Sequence, residues 1–336
     1  MAKLSRPLPS SIAVLALLLC VGIVGVTGAA SWIGKPFPGF LVLENRVVAS
    51  VGLSLWPATA DGEIYQHQVV QVGDAVVESP HSLHAVVASV PVGTPLVYRF
   101  QRGDHELVRS IETRRFGGSD FALLFGLYLL NGVIMGGVAL VALRARRRIP
   151  SAGAVVPFLL AGAVWGLSAL DLYGPYRLFR LHALAEVMLF PATIHMALCF
   201  PQRARCLRGR SWFVPLPYAL AAGLGIAYQA GLQSVEHYVL THLAAITAFG
   251  AALVVLVVAE VERYRRVAAI DVRDRIGILA VGALLACSLP ICLSLAELLT
   301  GGRSPQNAVA LTAFLFPLSI AYALVRDDRL REVASV

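Results

Sequence analysis

His182 and Glu186 stand four residues apart in an otherwise apolar stretch. That i, i+4 spacing puts an imidazole and a carboxylate on one face of a helix, where they can share a proton or hold a metal ion. Each ionisable group inside hydrocarbon is costly unless it is paired or faces water, so such residues are the first candidates for function. His242 and Glu297 belong with them. Counted from the nearer ends of their stretches, Glu297 lies about three residues in, His242 about four and Glu186 about five, which places all three within roughly 3 Å of one depth. The expectation is a shared polar pocket of His182, Glu186, His242 and Glu297, and snorkelling of each to the interface is the alternative.

His195 lies deeper in the same stretch as Glu186, four residues after Pro191. Proline removes a helical N–H and kinks the helix, so His195 is expected either to bond a freed carbonyl or to act as a proton-linked switch. Gly132-x-x-x-Gly136 and Gly162-x-x-x-Gly166 carry the spacing that lets helix backbones approach closely, within the bundle or across a homodimer seam. Gly166-Leu167-Ser168-Ala169 is a fragment similar to that of rhomboid proteases, with His242 as the imaginable base. Close packing accounts for it better than catalysis, and no catalytic residue is assigned. The His-Glu-x-x-His helix of membrane zinc proteases is absent from the sequence. The spacing of Cys199 and Cys206 fits no metal motif, so neither a metal nor another cofactor is expected.

These residues need elements that cross a bilayer. Of 336 residues, 57% are hydrophobic and 14% charged, with a mean hydropathy of +0.73; ordinary soluble proteins carry about 25% charged residues. A single soluble globule is excluded. Eight apolar stretches, residues 12–30, 121–143, 151–170, 181–200, 212–231, 238–259, 276–299 and 307–325, each suit one spanning helix of about 20 residues. The net charge of +8 lies between them rather than on a nucleic-acid-binding face. With the N-terminus in the cytoplasm, Lys3 and Arg6, Arg144–Arg148, Arg203–Arg210, Arg263–Arg275 and Arg326–Arg331 all fall inside. The short outer loops then keep only Arg177, Arg180 and Arg303. The first stretch, ending in Gly28-Ala29-Ala30, reads as a retained anchor; cleavage as a signal peptide would leave seven helices in the same orientation.

Four regions follow: 1–30, an anchor; 31–119, extracytoplasmic; 120–325, seven membrane helices; and 326–336, a short cytoplasmic tail. Within 31–119, residues 40–43, 47–55 and 69–72 read as strands. Ser79-Pro80 opens a helix with Leu83, Val86 and Val87 on one face. Residues 95–101 and 105–113 form a hairpin around Arg102-Gly103-Asp104. The region holds no cysteine, so its α+β fold needs no disulfide.

The landmarks Gly39-Phe40, Trp56-Pro57-Ala58, Val69 to Gly73, the 79–89 helix and Pro91-Val92-Gly93-Thr94-Pro95-Leu96-Val97-Tyr98-Arg99-Phe100 resemble, in order, a bacterial PDZ domain. With Phe190-Pro191, His195-Met196-Ala197-Leu198, Phe200-Pro201, Phe316-Pro317 and Tyr322-Ala323-Leu324-Val325-Arg326 behind it, the chain is similar to the N-terminal sensory half of certain bacterial sensor histidine kinases. The resemblance implies a PDZ-like extracytoplasmic domain, location in the bacterial inner membrane and signal transduction by homodimers. Where PDZ domains carry their binding loop, this chain has Ala60-Asp61-Gly62-Glu63-Ile64-Tyr65-Gln66-His67, which predicts weak affinity for C-terminal peptides. The sequence ends eleven residues after Val325, so no kinase domain is expected in it.

The expected function is a sensory or signal-relay module, not an enzyme, passing a cue to a cytoplasmic signalling protein supplied by another chain. An extracytoplasmic peptide or protein and anionic lipid are the other expected partners; nucleic acid is not. A small-solute or ion transporter and an envelope scaffold are the alternative classes.

Overall fold

The computed structural model describes residues 9–53, 55–204, 207, 210–266 and 270–333. Lys3, Arg6, Arg205, Cys206 and Arg208 lie outside the described residues, as does Ser54 within the expected 47–55 strand. In chain order the elements are α1 (Pro9–Ala30), β1 (Pro36–Phe37), β2 (Gln68–Val72), β3 (Ala75–Val76), α2 (Pro80–Ala88), β4 (Pro95–Arg102), β5 (His105–Glu112) and β6 (Arg114–Arg115). Then come α3 (Gly118–Ala145), α4 (Val156–Ser168), α5 (Phe179–Cys199), α6 (Pro215–Gly231), α7 (Val235–Arg266), α8 (Ile270–Thr300) and α9 (Leu315–Val333).

Among the described residues seven segments are long and apolar enough to cross a membrane: Ser10–Ala30, Gly118–Ala145, Pro150–Asp171, Phe179–Cys199, Val235–Arg266, Ile276–Thr300 and Asn307–Val325. The chain is a polytopic helical membrane protein. The stretch expected at 212–231 splits into a 3-10 turn (Ser211–Phe213) and the 17-residue α6, whose length of about 25 Å is at the lower limit for a span. Large apolar side chains such as Leu123 and Val133 on α3, Leu240 and Val258 on α7, and Leu284 and Leu299 on α8 stand exposed. Helices apolar on all sides are the form that lipid requires.

Six helices close a ring. Neighbours pack in the order α3, α4, α5, α7, α8, α9 and back to α3, while α1 lies outside against α3 and α4, and α6 outside against α5 and α7. The tightest approach uses the predicted small residues. A Cβ on Gly166 would lie 2.9 Å from the Tyr128 carbonyl and 3.3 Å from the Gly132 Cα, and one on Gly132 would meet Leu167 at 2.7 Å. Gly136 faces Leu18 of α1, and Gly162 faces Met135 of α3 and Leu189 of α5. All four glycines therefore serve packing within one chain, and their faces are not free to form the seam of a homodimer.

The β-region caps one end of the ring. A four-stranded antiparallel sheet runs β3-β2-β4-β5, and β1 pairs separately with β6. Its turns are of two residues: Val72 pairs with Ala75 around Gly73-Asp74, and Arg102 pairs with His105 around Gly103-Asp104. Gly73 and Gly103 take φ of 55° and 57°, the left-handed conformation such turns demand. Ser79 caps α2 reciprocally with Ser82, with Pro80 following as predicted.

The expected strands at 40–43 and 47–55 are reduced to single bridges, Val42 to Val48 and Val47 to Gln68. Their side chains nevertheless alternate with period two. Phe40, Val42 and Val48 enter a core with Val69, Leu83, Tyr98 and Phe100 beneath the sheet. Leu41, Leu43, Val47, Ala49 and Val51 point the other way, into a core shared with Tyr128, Leu172, Tyr173 and Tyr238 of the membrane region. Residues 31–119 are thus not a freestanding globule, since a substantial part of their apolar core, including Leu41, Leu43, Val47 and Val51, is shared with the ring.

Candidate functional site

The cap closes over the mouth of the ring by hydrogen bonds, most of them from side chain to backbone, from the 41–52 segment and the sheet. Asn45 Nδ2 donates to the Leu232 carbonyl at 2.9 Å, and Gln306 N–H to the Ser50 carbonyl at 2.7 Å. Asn307 accepts from Gly52 N–H at 3.0 Å and donates back to the Gly52 carbonyl. Arg102 donates to the Gly301 carbonyl at 2.7 Å. At the rim His84 Nε2 meets the Tyr176 hydroxyl at 3.2 Å and its ring packs on Trp32, while burial pushes His84 down to about 3. Burial also lowers His67 and raises Tyr65 in the cap.

Beneath the cap lies a cavity of about 160 Å³. Leu43, Ser50 and Gln66 form its roof, and every ring helix supplies wall: Asn131 from α3, Trp165 from α4, Glu186 from α5, His242 from α7, Ser294 from α8 and Phe316 from α9. The wall is graded. On α7 Tyr238 and His242 lie nearest the cap, followed by Ile246, Phe249 and Leu253 over about 22 Å of helical rise. On α8 Ser294 gives way to Cys287 and Ala286 in the same direction.

Three of the four expected pocket residues line this cavity: His182, Glu186 and His242. Glu186 Oε1 is 2.8 Å from His242 Nδ1. The Tyr228 hydroxyl, brought in from outside the ring by α6, donates to Glu186 Oε2 at 3.1 Å and lies 3.2 Å from His242 Nδ1. Tyr238 stacks on the His242 ring with centroids 5.5 Å apart. His182 shares a face with Glu186 but turns to Ser168, its Nδ1 3.0 Å from the hydroxyl, and stacks on Trp165. Glu297 is fully buried behind the cavity wall, which it meets through Gln306, whose Nε2 donates to it at 2.8 Å, and through the Ser50 hydroxyl. The four residues divide their hydrogen bonds among an acid–tyrosine–histidine group, a serine–histidine pair and an acid–amide pair, while Glu297 stays within electrostatic reach of His242 and Glu186. None of these groups merely snorkels: Glu186 and Glu297 are 5% and 0% exposed.

The partner imagined for Ser168 was His242, and the structure supplies His182 instead. Ser168 is completely buried and outside the cavity wall, so no substrate bond reaches its hydroxyl. His195 does not serve a carbonyl freed by Pro191; its Nδ1 lies 3.1 Å from the Tyr218 hydroxyl of α6. No group of metal-ligating side chains gathers among the described residues.

Sequence reasoning missed Tyr228, Asn131, Gln66 and Gln306. Asn131 had a readable signal, an amide in the middle of an apolar span, where it must find partners. It donates to the Leu127 and Ala310 carbonyls at 2.9 and 2.7 Å, tying α3 to the segment before α9. Gln66 sits at a φ of 60° and donates to the Ser50 hydroxyl, which donates to the Gly302 carbonyl. At the far end of the ring Glu260, 1% exposed, accepts from Arg263 at 2.6 Å, and Arg263 also donates to the Ala197 carbonyl, locking α7 to α5.

No family model, curated protein or solved structure matches this chain.

Proposed function

We propose that the protein is a sensory, signal-relay membrane module whose cue is a small molecule held in the capped cavity. One observation carries the reading: the cavity wall draws on all six ring helices and on the cap, so an occupant touches every part that would have to move. A ligand shifts a conformational equilibrium only through unequal affinity for the two states. Opening the cap or rearranging the ring changes this wall and so supplies that inequality. The Arg263 lock between α5 and α7 is the element at the opposite end on which such a shift would be felt.

The cap supports a PDZ-like reading through its antiparallel sheet, its capped α2 and the order of its landmarks. On this reading the cap faces the outside of a bacterial inner membrane, and the arginine-rich ends of α3 and α7 face the cytoplasm, where Lys and Arg accumulate. A cytoplasmic signalling protein receives the output, as in the N-terminal region of sensor histidine kinases.

The test compares the full chain in nanodiscs with Ala286→Phe, which fills the cavity and mimics occupancy. Hydrogen exchange at the amides of 256–266 should change severalfold in the variant. Unchanged exchange there would overturn relay through the ring. Release of trapped solutes from vesicles carrying the wild-type protein would assign it to transport instead.

A further inference from the structure

We infer that the cavity takes a primary amine with an apolar tail, its ammonium held near the cap and its tail directed along the ring axis. This rests on the reading of the cavity as the ligand site and names the chemistry of its occupant.

The inference begins with a hydrogen-bond imbalance. Among the described residues of the cavity wall, the buried side-chain atoms without a hydrogen-bond partner are Gln66 Oε1, Asn131 Oδ1 and Glu186 Oε1. All three are acceptors. The parent residues are 1%, 3% and 5% exposed, and they come from the cap, α3 and α5, three different sides of the space. Amide orientation does not explain the pattern away. Asn131 Nδ2 faces two carbonyls, so Oδ1 must point elsewhere. Gln66 Nε2 donates to a hydroxyl already committed as donor to Gly302, which fixes its oxygen in the same way. Glu186 Oε1 already has His242 Nδ1 beside it at 2.8 Å as its charge partner, off line for a full hydrogen bond, and a carboxylate oxygen accepts a second donor.

Buried acceptors without donors are expensive, so the occupant that relieves them must bring N–H or O–H groups. An ammonium brings three donors and no acceptor. A carboxylate brings only acceptors and would add a second negative charge beside Glu186. An alcohol brings one donor, too few for three sides. The hydroxyls of Tyr128, Tyr173 and Tyr238 can play either role and leave the balance unchanged, while their rings, with Trp165, offer faces that attract a cation. Further from the cap the wall is Phe249, Leu253, Ala286, Cys287 and Phe316, without a charged group, which suits an alkyl or aryl tail.

The experiment measures binding of n-octylamine, n-octyltrimethylammonium, n-octanol and n-octanoate to the full chain in nanodiscs by titration calorimetry, with empty nanodiscs as the blank. Octylamine should bind saturably and roughly tenfold more tightly than octanol, as loss of charge-assisted hydrogen bonds predicts. Octyltrimethylammonium, which keeps the charge and has no N–H, should also bind more weakly than octylamine, and octanoate should not bind. Glu186→Gln and Asn131→Leu should each weaken octylamine roughly tenfold and leave octanol unchanged. If octanol or octanoate binds as tightly as octylamine, or the variants bind octylamine like the wild type, the amine assignment falls while the cavity remains a ligand site. If none of the probes binds above the blank, both readings fall. Should the variants not fold, the comparison of octylamine with its trimethyl analogue on the wild-type chain decides the question alone.

Discussion

Glu186 Oε1 and His242 Nδ1 lie 2.8 Å apart, with the Tyr228 hydroxyl bonded to both residues, so that α5, α6 and α7 meet at one buried polar point. Removing either partner leaves the other unpaired in a low-dielectric interior, at a cost of about 1–3 kcal/mol for a polar group and more for a charge. Glu186→Ala and His242→Ala should each lower thermal stability in detergent, and the double variant should lose less than the sum. Glu297 hydrogen-bonds Gln306 instead and meets this group only through its charge, so Glu186→Ala and Glu297→Ala should come closer to additivity than Glu186→Ala and His242→Ala. A thermal or denaturant series on the three single and two double variants checks both statements.

One of the groups that hold the cap is a side-chain amide, Asn307, joined to the Gly52 backbone in both directions. Asn307→Ala removes its bonds to Gly52, a loss of about 1–2 kcal/mol local to the seam. Exchange of the amides of 41–52 should quicken while the ring stays protected. The excised segment 35–118 should self-associate in solution, because Leu41, Leu43 and Val51 lose the ring that covers them. A monomeric, fully protected fragment on size-exclusion and exchange measurements would contradict the shared core.

Glycines in the helices divide by what a methyl group would meet. Gly166→Ala drives a Cβ to 2.9 Å from the Tyr128 carbonyl, whereas Gly137→Ala meets nothing within 4 Å. Overpacking costs about 1–3 kcal/mol, while an added methyl in an open helical position is favourable by up to about 1 kcal/mol. Gly166→Ala should therefore lower the melting temperature and Gly137→Ala should hold or raise it. Cross-linking between copies should be the same in both, since the Gly132–Gly166 contact lies within one chain.

Acid should loosen the cap. His84, faced by Trp32, Tyr176, His81 and Lys35, is pushed by burial from 6.5 down to about 3. The unfolded cap therefore binds the extra proton throughout that interval, and stability falls as pH falls through it. The stabilising contribution is complete above 6.5 and is lost progressively towards about 3. His84→Phe should flatten the pH dependence of cap protection between those limits, measured by exchange at the amides of 80–88. An unchanged profile would move the effect to another group.

Orientation has its own check. Alkaline phosphatase fused after Gly118 should be active, and fused after Arg148 or Arg266 inactive, because the orientation proposed from the bias of Lys and Arg has the latter two in the cytoplasm. Activity after Arg266 would reverse the assignment of the cap to the outside.

The membrane character, seven of the eight spans, the α2 cap at Ser79 and the β4–β5 hairpin were legible in the sequence because each is decided locally. A run of about 20 apolar residues has nowhere else to go, and Gly103-Asp104 can turn only a hairpin of one register. The i, i+4 spacing put His182 and Glu186 on one helix face, and equal depth brought Glu186 to His242. Depth, however, does not tell which neighbours a helix has. Only the closed order of α3, α4, α5, α7, α8 and α9 turned His182 to Ser168, gave Glu297 to Gln306 and delivered Tyr228 from a helix outside the ring. The segment 40–51 looked like ordinary strand because alternation with period two does not reveal that both faces are apolar for different reasons. Leu41 and Leu43 are covered by the ring and Phe40 and Val42 by the sheet. Burial of side chains such as these depends on contacts far apart in the chain, and tertiary packing alone made the cavity beneath them.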